Sequence, residues 1–359
     1  MKKILFFTES LATGVQSYIT DLSNELVDSF DVYLAYSIRS NQTRENFKSF
    51  FDKRVHFIEV KNFCRELNPV LDIKAFFEIK KIAKEVKPDI IHFHSSKAGA
   101  LGRFAFNGRK VPLFYTPHGY SFVAAECSGI KKKLYYFIEW LCARRKCTTI
   151  SCGKGEYEDT RKLTKNSLYI NNGINIEDLE LIKEKATAFS HSFTVYTLGR
   201  VCYQKNPFMF EKIANRLPDV KFIWVGGGEL ESELKSPNIT ITGFLDREKA
   251  LNYAINSDVF LFTSFGEALP MSLLESMYLE KPCVVSDVKG NHDVIQNNKN
   301  GFLCNTVDDY VDAIKTVQDT DCSSIIKNAY SDILNEYNTK VVAKKYKKTY
   351  EIILKKHGK

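Results

Sequence analysis

Several marks of common protein classes are missing from this sequence. No apolar run reaches the eighteen or so residues that a helix needs to span a bilayer. The opening Met-Lys-Lys-Ile-Leu-Phe-Phe-Thr-Glu resembles a signal peptide for seven residues. Glu9 then cuts the apolar run short, so residues 4–8 are read as a first buried strand. Nine cysteines are scattered without a C-x-x-C pair. That pattern suits incidental or buried thiols in a reducing cytosol, and it offers no converging zinc ligands. No G-x-G-x-x-G follows the first strand, so NAD and FAD are not expected, and no G-x-x-x-x-G-K-[ST] loop is present for ATP.

What is present is positive charge, unevenly placed. The net charge is +8. Residues 1–175 carry 28 Lys and Arg against 18 Asp and Glu, whereas the remainder is slightly acidic. Two basic clusters, Lys131-Lys132-Lys133 and Arg144-Arg145-Lys146, bracket Leu134-Tyr135-Tyr136-Phe137-Ile138-Glu139-Trp140-Leu141. Such a stretch is either a surface for an anionic membrane or a core-facing helix with solvated basic ends. Nucleic acid also attracts basic faces, but no recognised binding module accompanies this one, so no nucleic-acid partner is expected.

The chain, 359 residues long, fits two domains of moderate size. Strands are expected at 4–8, 31–36, 55–60, 90–94, 113–116 and 148–151, with helices at 15–29 and 74–86. The rhythm pauses around 168–190. A second series then places strands at 193–198, 220–225, 239–242, 259–263 and 283–286, with helices at 207–216, 247–254 and 272–279. The fold class is therefore α/β, two Rossmann-like domains with parallel sheets facing one another across an interdomain cleft. The first domain is placed at 1–175 and the second at 190–336. A basic amphipathic helix at about 340–359 is expected to pack back on the first.

The chemistry is expected in the loops after the strands. Gly199-Arg200 closes one strand, and Gln204-Lys205-Asn206-Pro207 leads into a helix. Two fixed cations beside free helix N–H groups make a diphosphate site. Gly226-Gly227-Gly228-Glu229 ends the next strand, where glycines permit close backbone approach. Glu267-Ala268-Leu269-Pro270-Met271-Ser272-Leu273-Leu274-Glu275 sets two carboxylates eight positions apart after a buried strand, suited to a hydroxyl-rich ligand. In the first half, Gly14 at a helix entrance either presents backbone N–H groups or is a plain turn. His118, directly after a strand, either donates to a sugar hydroxyl or orders the site. His92 and His94 share one strand face, and His94 with Ser95, Ser96 and Lys97 is a candidate acceptor loop.

Taken in order, Gly199-Arg200, Lys205-Asn206-Pro207, Gly226-Gly227-Gly228-Glu229 and Glu267-x7-Glu275 resemble the retaining glycosyltransferases of family 4, on the two-domain GT-B scaffold. The string Ile91-His92-Phe93-His94-Ser95-Ser96-Lys97-Ala98-Gly99 resembles capsule, exopolysaccharide and O-antigen members. This resemblance implies that Arg200 and Lys205 hold the donor diphosphate. It implies that Glu267 contacts the transferred sugar, that Glu275 takes the ribose hydroxyls and that His118 approaches the sugar. Gly14, Gly199, Gly228, Glu229, Ala268, Leu269 and Pro270 would line the nucleotide-sugar site. The family loop often has two adjacent glycines where Ala12-Thr13-Gly14 has one.

The implied reaction moves a sugar, hexosyl or N-acetylhexosaminyl, from a nucleotide-sugar donor, a UDP-sugar, to a polyprenyl-diphosphate-linked saccharide in surface-polysaccharide biosynthesis. Arginine and lysine stabilise the departing diphosphate without a metal, so neither a metal nor a further cofactor is expected. The resemblance places the protein in the cytoplasm, peripheral on the inner face of the cell membrane, with the basic N-terminal domain on its anionic surface. Two alternatives stay open: a GT-B sugar-nucleotide epimerase, and a non-catalytic nucleotide-sugar-binding subunit of a transferase complex.

Overall fold

A computed structural model describes residues 1–9, 11, 13–37, 47–64, 68–123, 127–188 and 192–358. The chain divides into two compact units, residues 1–172 with 339–359, and residues 173–338.

Unit 1 runs β1 (Lys2–Thr8), α1 (Thr13–Leu26), β2 (Phe30–Tyr36), β3 (His56–Glu59), α2 (Pro69–Val86) and β4 (Ile90–His94). It continues with α3 (Ser96–Ala105), β5 (Leu113–Thr116), α4 (Gly129–Cys142), β6 (Thr148–Ser151), α5 (Lys154–Leu163) and β7 (Ser167–Tyr169). The seven strands form one sheet in the order β3-β2-β1-β4-β5-β6-β7, all parallel. Strand β4 is buried at every position, as a parallel strand covered on both faces must be. Helix α2 starts at Pro69 behind Asn68, whose side chain accepts from the Leu71 N–H, and ends at left-handed Lys87 before Pro88. Helix α3 contains Gly99 and Gly102, which lower helix propensity. A Cβ at either position would lie 2.3 Å from the Tyr115 ring or 2.1 Å from the Phe93 ring. These glycines let α3 lie close on the sheet.

Unit 2 opens with α6 (Ile176–Lys185), in the stretch expected as a pause. It continues through β8 (Thr194–Leu198), α7 (Pro207–Arg216), β9 (Lys221–Val225), β10 (Ile239–Ile241), α8 (Arg247–Ile255) and β11 (Val259–Phe262). Then come α9 (Met271–Tyr278), β12 (Cys283–Ser286), β13 (Phe302–Cys304), α10 (Val307–Asp319) and α11 (Ser323–Glu336). Its six parallel strands are ordered β10-β9-β8-β11-β12-β13. The last helix, α12 (Thr339–Lys356), belongs to unit 1. Its Val342, Ala343, Tyr346, Tyr350 and Leu354 join α1 in the core on one sheet face. Helices α2, α3 and α4 cover the opposite face.

In each sheet the strand order reverses direction once, beside β1 and β4 in unit 1 and beside β8 and β11 in unit 2. Ligands of open α/β sheets bind outside the carboxyl ends of the strands at such a switch point. The loops after β8 and β11 carry Arg200, Lys205 and Glu267.

Candidate active site

The two switch-point loops of unit 2 are bonded to each other. Thr263 Oγ1 donates to the carbonyls of Lys205 (2.9 Å) and Asn206 (3.1 Å), and the Phe265 N–H donates to the Gln204 carbonyl at 2.9 Å. This brings Lys205 Nζ to 2.8 Å from Glu267 Oε1, with the ammonium 4.4 Å from the Phe262 ring centroid. Gln204 Nε2 donates to Glu267 Oε2 at 3.2 Å and to the Gly266 carbonyl at 2.9 Å. Lys205 and Glu267, 62 residues apart, are therefore partners. Arg200 is half-buried directly after β8.

The loop after β12 supports Glu267 from a third side. The Glu267 N–H donates to the Lys289 carbonyl at 3.1 Å. Gly290 sits at φ 86°, and a Cβ there would lie 2.7 Å from the Glu267 carbonyl oxygen. Glycine is required for that approach. The glycines after β9 also serve packing: a Cβ at Gly226 would meet the Gly199 carbonyl at 2.1 Å, and one at Gly228 the Val201 carbonyl at 2.2 Å. Glu229 beside them is exposed.

The expected free helix N–H groups lie elsewhere than the sequence suggested. Left-handed Asn206 caps α7 itself, its Oδ1 accepting from the Met209 N–H at 3.2 Å. Helix α9 begins at Met271 behind Pro270, with no side-chain cap, leaving its first-turn N–H groups to other acceptors. Ala268 is half-buried, and Leu269 and Pro270 are buried at this start.

Glu275, one turn further along α9, is buried and held by a residue that sequence reasoning missed. Arg247 Nη1 donates to Glu275 Oε1, and Arg247 Nε donates to Asp178 Oδ2 at 3.1 Å. No periodicity or spacing marks Arg247; it is the first residue of α8, behind the Asp246 cap.

His118 belongs to a separate cluster in unit 1, after β5, with a left-handed backbone at φ 55°. Its Nε2 lies 3.0 Å from His94 Nδ1 and its Nδ1 3.4 Å from Cys152 Sγ. Both ring nitrogens thus have protein partners. His92 bonds Tyr350 at 2.7 Å and Thr116 at 2.9 Å. His94 Nε2 is buried without a partner. An unpaired lone pair costs less than an unpaired N–H, so the His94 proton belongs on Nδ1, donating to His118. Burial pushes the His118 imidazolium down to about 3 and those of His92 and His94 well below 6.5, so all three are neutral.

Glu156 anchors the His118 loop. It accepts from the Gly119 N–H at 2.6 Å and the Cys152 N–H at 2.8 Å. Burial raises its carboxyl to about 7 against the pull of these two bonds. In the loop after β1, Gly14 is exposed at the start of α1; Ser10 and Ala12 lie outside the described residues.

Among the described residues, no group of three His, Cys, Asp or Glu is arranged to hold a metal ion. The sequence does contain one Asp-x-Asp, Asp319-Thr320-Asp321, far from the switch-point loops in sequence, where Asp321 accepts from the Ser323 N–H at 2.9 Å. Also among the described residues, no helix is long and apolar enough to cross a membrane.

Two doubly wound parallel sheets with these strand-end loops define a two-domain GT-B α/β protein. The chain belongs to the glycosyltransferases of this fold: residues 12–178 match the model for Glycosyltransferase Family 4, and residues 178–332 that for Glycosyl transferases group 1. An Escherichia coli UDP-Gal:alpha-D-GlcNAc-diphosphoundecaprenol alpha-1,3-galactosyltransferase is 31% identical, over 80% of this chain and 82% of that protein. A Campylobacter jejuni N,N'-diacetylbacillosaminyl-diphospho-undecaprenol alpha-1,3-N-acetylgalactosaminyltransferase is 24% identical over 82% of this chain and 86% of its own. The fold is also that of Anabaena HepE solved in complex with UDP-glucose, with TM-score 0.76 and 17% identity over 98% of this chain and 100% of that one. The protein is accordingly a glycosyltransferase acting on nucleotide-sugar donors in polysaccharide biosynthesis.

Proposed function

We propose that this glycosyltransferase is a retaining enzyme that moves a hexosyl or N-acetylhexosaminyl group from a UDP-sugar to a saccharide carried on polyprenyl diphosphate. The protein works in the cytoplasm, at the inner face of the cell membrane. The observation that carries the reading is the Lys205–Glu267 pair at the unit 2 switch point, 2.8 Å across. It sets a cation suited to phosphate beside a carboxylate suited to hydroxyls. The names of the two bacterial relatives, each acting on a diphosphoundecaprenol-linked sugar with an alpha linkage, support the acceptor class.

In this reading Arg200 and Lys205 hold the donor diphosphate. Donor binding draws Lys205 from Glu267 onto phosphate and releases the Glu267 carboxylate to the sugar hydroxyls. Glu275, oriented by Arg247, takes the ribose hydroxyls. The uncapped start of α9 after Ala268-Leu269-Pro270 offers N–H groups to phosphate. Gly199, Gly228 and Glu229 border the nucleotide. The sugar C1–O bond to phosphate breaks while the acceptor oxygen bonds C1 on the same face, and the acceptor proton passes to the departing phosphate oxygen. Charge stabilisation by Arg200 and Lys205 drives this step without a metal.

A screen of nucleotide sugars against lipid-linked acceptors, with NMR reading the product anomer, tests the assignment. An α product from an α-linked donor is expected, and a β product overturns retention. Free epimer formed without acceptor would instead identify an epimerase. UDP binding without any turnover would identify a silent subunit.

A further inference from the structure

Gln204 joins the two switch-point loops of unit 2 through both its backbone and its side chain. It lies half-buried in the single turn Tyr203–Lys205 after β8. Its carbonyl accepts from the Phe265 N–H at 2.9 Å, which ties its backbone to the loop after β11. The side chain turns onto the same loop. Nε2 donates to the Gly266 carbonyl at 2.9 Å and to Glu267 Oε2 at 3.2 Å.

A primary amide nitrogen carries two hydrogens, and here both are used. That fixes which way the amide faces. Turned half a rotation about its last bond, Gln204 would set Oε1 against a carbonyl and a carboxylate oxygen, with no hydrogen between them. The two bonds therefore hold Oε1 on the side away from Gly266 and Glu267. Among the described residues no group donates to Oε1, and the atom is not buried. It is an open acceptor in a fixed orientation.

The Glu267 carboxylate has two side-chain partners among the described residues, Lys205 on Oε1 and Gln204 on Oε2. When Lys205 moves onto phosphate, Gln204 stays. Being neutral, its amide holds Oε2 without being drawn to the diphosphate as a second cation would be. Glu267 Oε1, once released, and Gln204 Oε1 are then neighbouring acceptors that cannot bond each other. Such a pair matches two hydrogen-bond donors on adjacent carbons. A pyranose supplies these as vicinal hydroxyls, or as a hydroxyl beside an acetamido N–H.

We propose that Gln204 is a specificity-determining residue that touches the transferred sugar, its Oε1 accepting from the hydroxyl or acetamido N–H next to the group bound by Glu267. This contact rests on the transferase reading, in which Glu267 meets that sugar. It selects for a hydrogen-bond donor at one ring position, because a sugar lacking that donor covers Oε1 and leaves it unpaired.

The test is calorimetry of the full chain with UDP, UDP-glucose, UDP-galactose, UDP-N-acetylglucosamine and UDP-N-acetylgalactosamine. It continues with forms of the tightest binder that lack one hydroxyl or the acetamido group. The parent should bind one of these forms about tenfold more weakly than the complete sugar. Gln204→Met, of similar length but without the amide, should weaken the complete sugar by a similar factor and bind that one form no worse than the parent does. Penalties at the other ring positions should persist, and UDP affinity should stay within about twofold. Gln204→Leu decides if the methionine variant is unstable. If every penalty of the parent survives in the variant, Gln204 does not touch the sugar, and the proposal falls while the transferase reading stands. An equal loss of affinity for UDP and for every UDP-sugar also overturns it, since the substitution then only loosens the loop. A parent that binds all the UDP-sugars no differently from UDP removes the transferase reading and this contact together.

Discussion

Arg247 grips the buried carboxylate of Glu275 through Nη1 while its Nε reaches Asp178 at 3.1 Å. The carboxylate proposed for the ribose is thereby held in one orientation by a residue from the start of another helix.

Replacing Arg247 with Met should then loosen nucleotide binding more than chemistry. The expected outcome is a donor KM raised roughly tenfold with kcat within about threefold of the parent, and calorimetric UDP affinity falling in parallel. Unchanged UDP affinity would show that Arg247 is only structural.

Lys205 is expected to act in the transition state, where the leaving diphosphate gains charge. Lys205→Ala should lower kcat/KM by about 100- to 1000-fold, mostly in kcat, as for loss of one preorganised charge donor. Lys205→Arg should restore part of it. Near-parent turnover by the alanine variant in steady-state assays would refute the leaving-group role.

The buried titratable groups of unit 1 set opposite pH slopes. The folded imidazoles of His92, His94 and His118 titrate below 6.5, His118 near 3. Between those values the unfolded chain binds more protons, so their contribution is present above pH 6.5 and is lost as pH falls toward 3. Glu156 has a folded value of about 7 against 4.5. There the folded chain binds more protons, and stability declines as pH rises from 4.5 to 7, by on the order of 3 kcal/mol at most. Glu156→Gln should therefore steepen the gain in urea midpoint between pH 4.5 and 6.5 and abolish any decline up to pH 7. A parallel pH profile would disprove the buried, protonated state.

Arg103 and Glu139 form a buried pair supported by Tyr115. Glu139→Ala should cost about 3–5 kcal/mol in urea unfolding, because it strands the guanidinium. Arg103→Met combined with Glu139→Leu should recover most of that loss. Additive losses in the double variant would contradict this.

The parts of the fold open to sequence reading were the short apolar runs. The runs at 90–94, 113–116, 148–151 and 283–286 became β4, β5, β6 and β12 with the expected bounds, because strands buried on both faces leave a continuous apolar signature. Helix α3 was not legible: Gly99 and Gly102 argue against helix locally, and their reason, the rings of Tyr115 and Phe93, comes from neighbouring strands. The need for glycine at position 290 became visible only with its approach to the Glu267 carbonyl.

By itself the sequence determined the βα alternation, the strand-end loops and the residue types at the proposed donor site, since local periodicity and turn chemistry depend on near neighbours. Tertiary structure alone decided the pairings. Lys205 meets Glu267 across 62 residues and Arg247 meets Glu275 across 28 because the strand order sets which loops lie side by side. It also turned Glu139 inward and left Phe137 outward. A helix's periodicity shows which residues share a face, but what packs against that face depends on the rest of the chain.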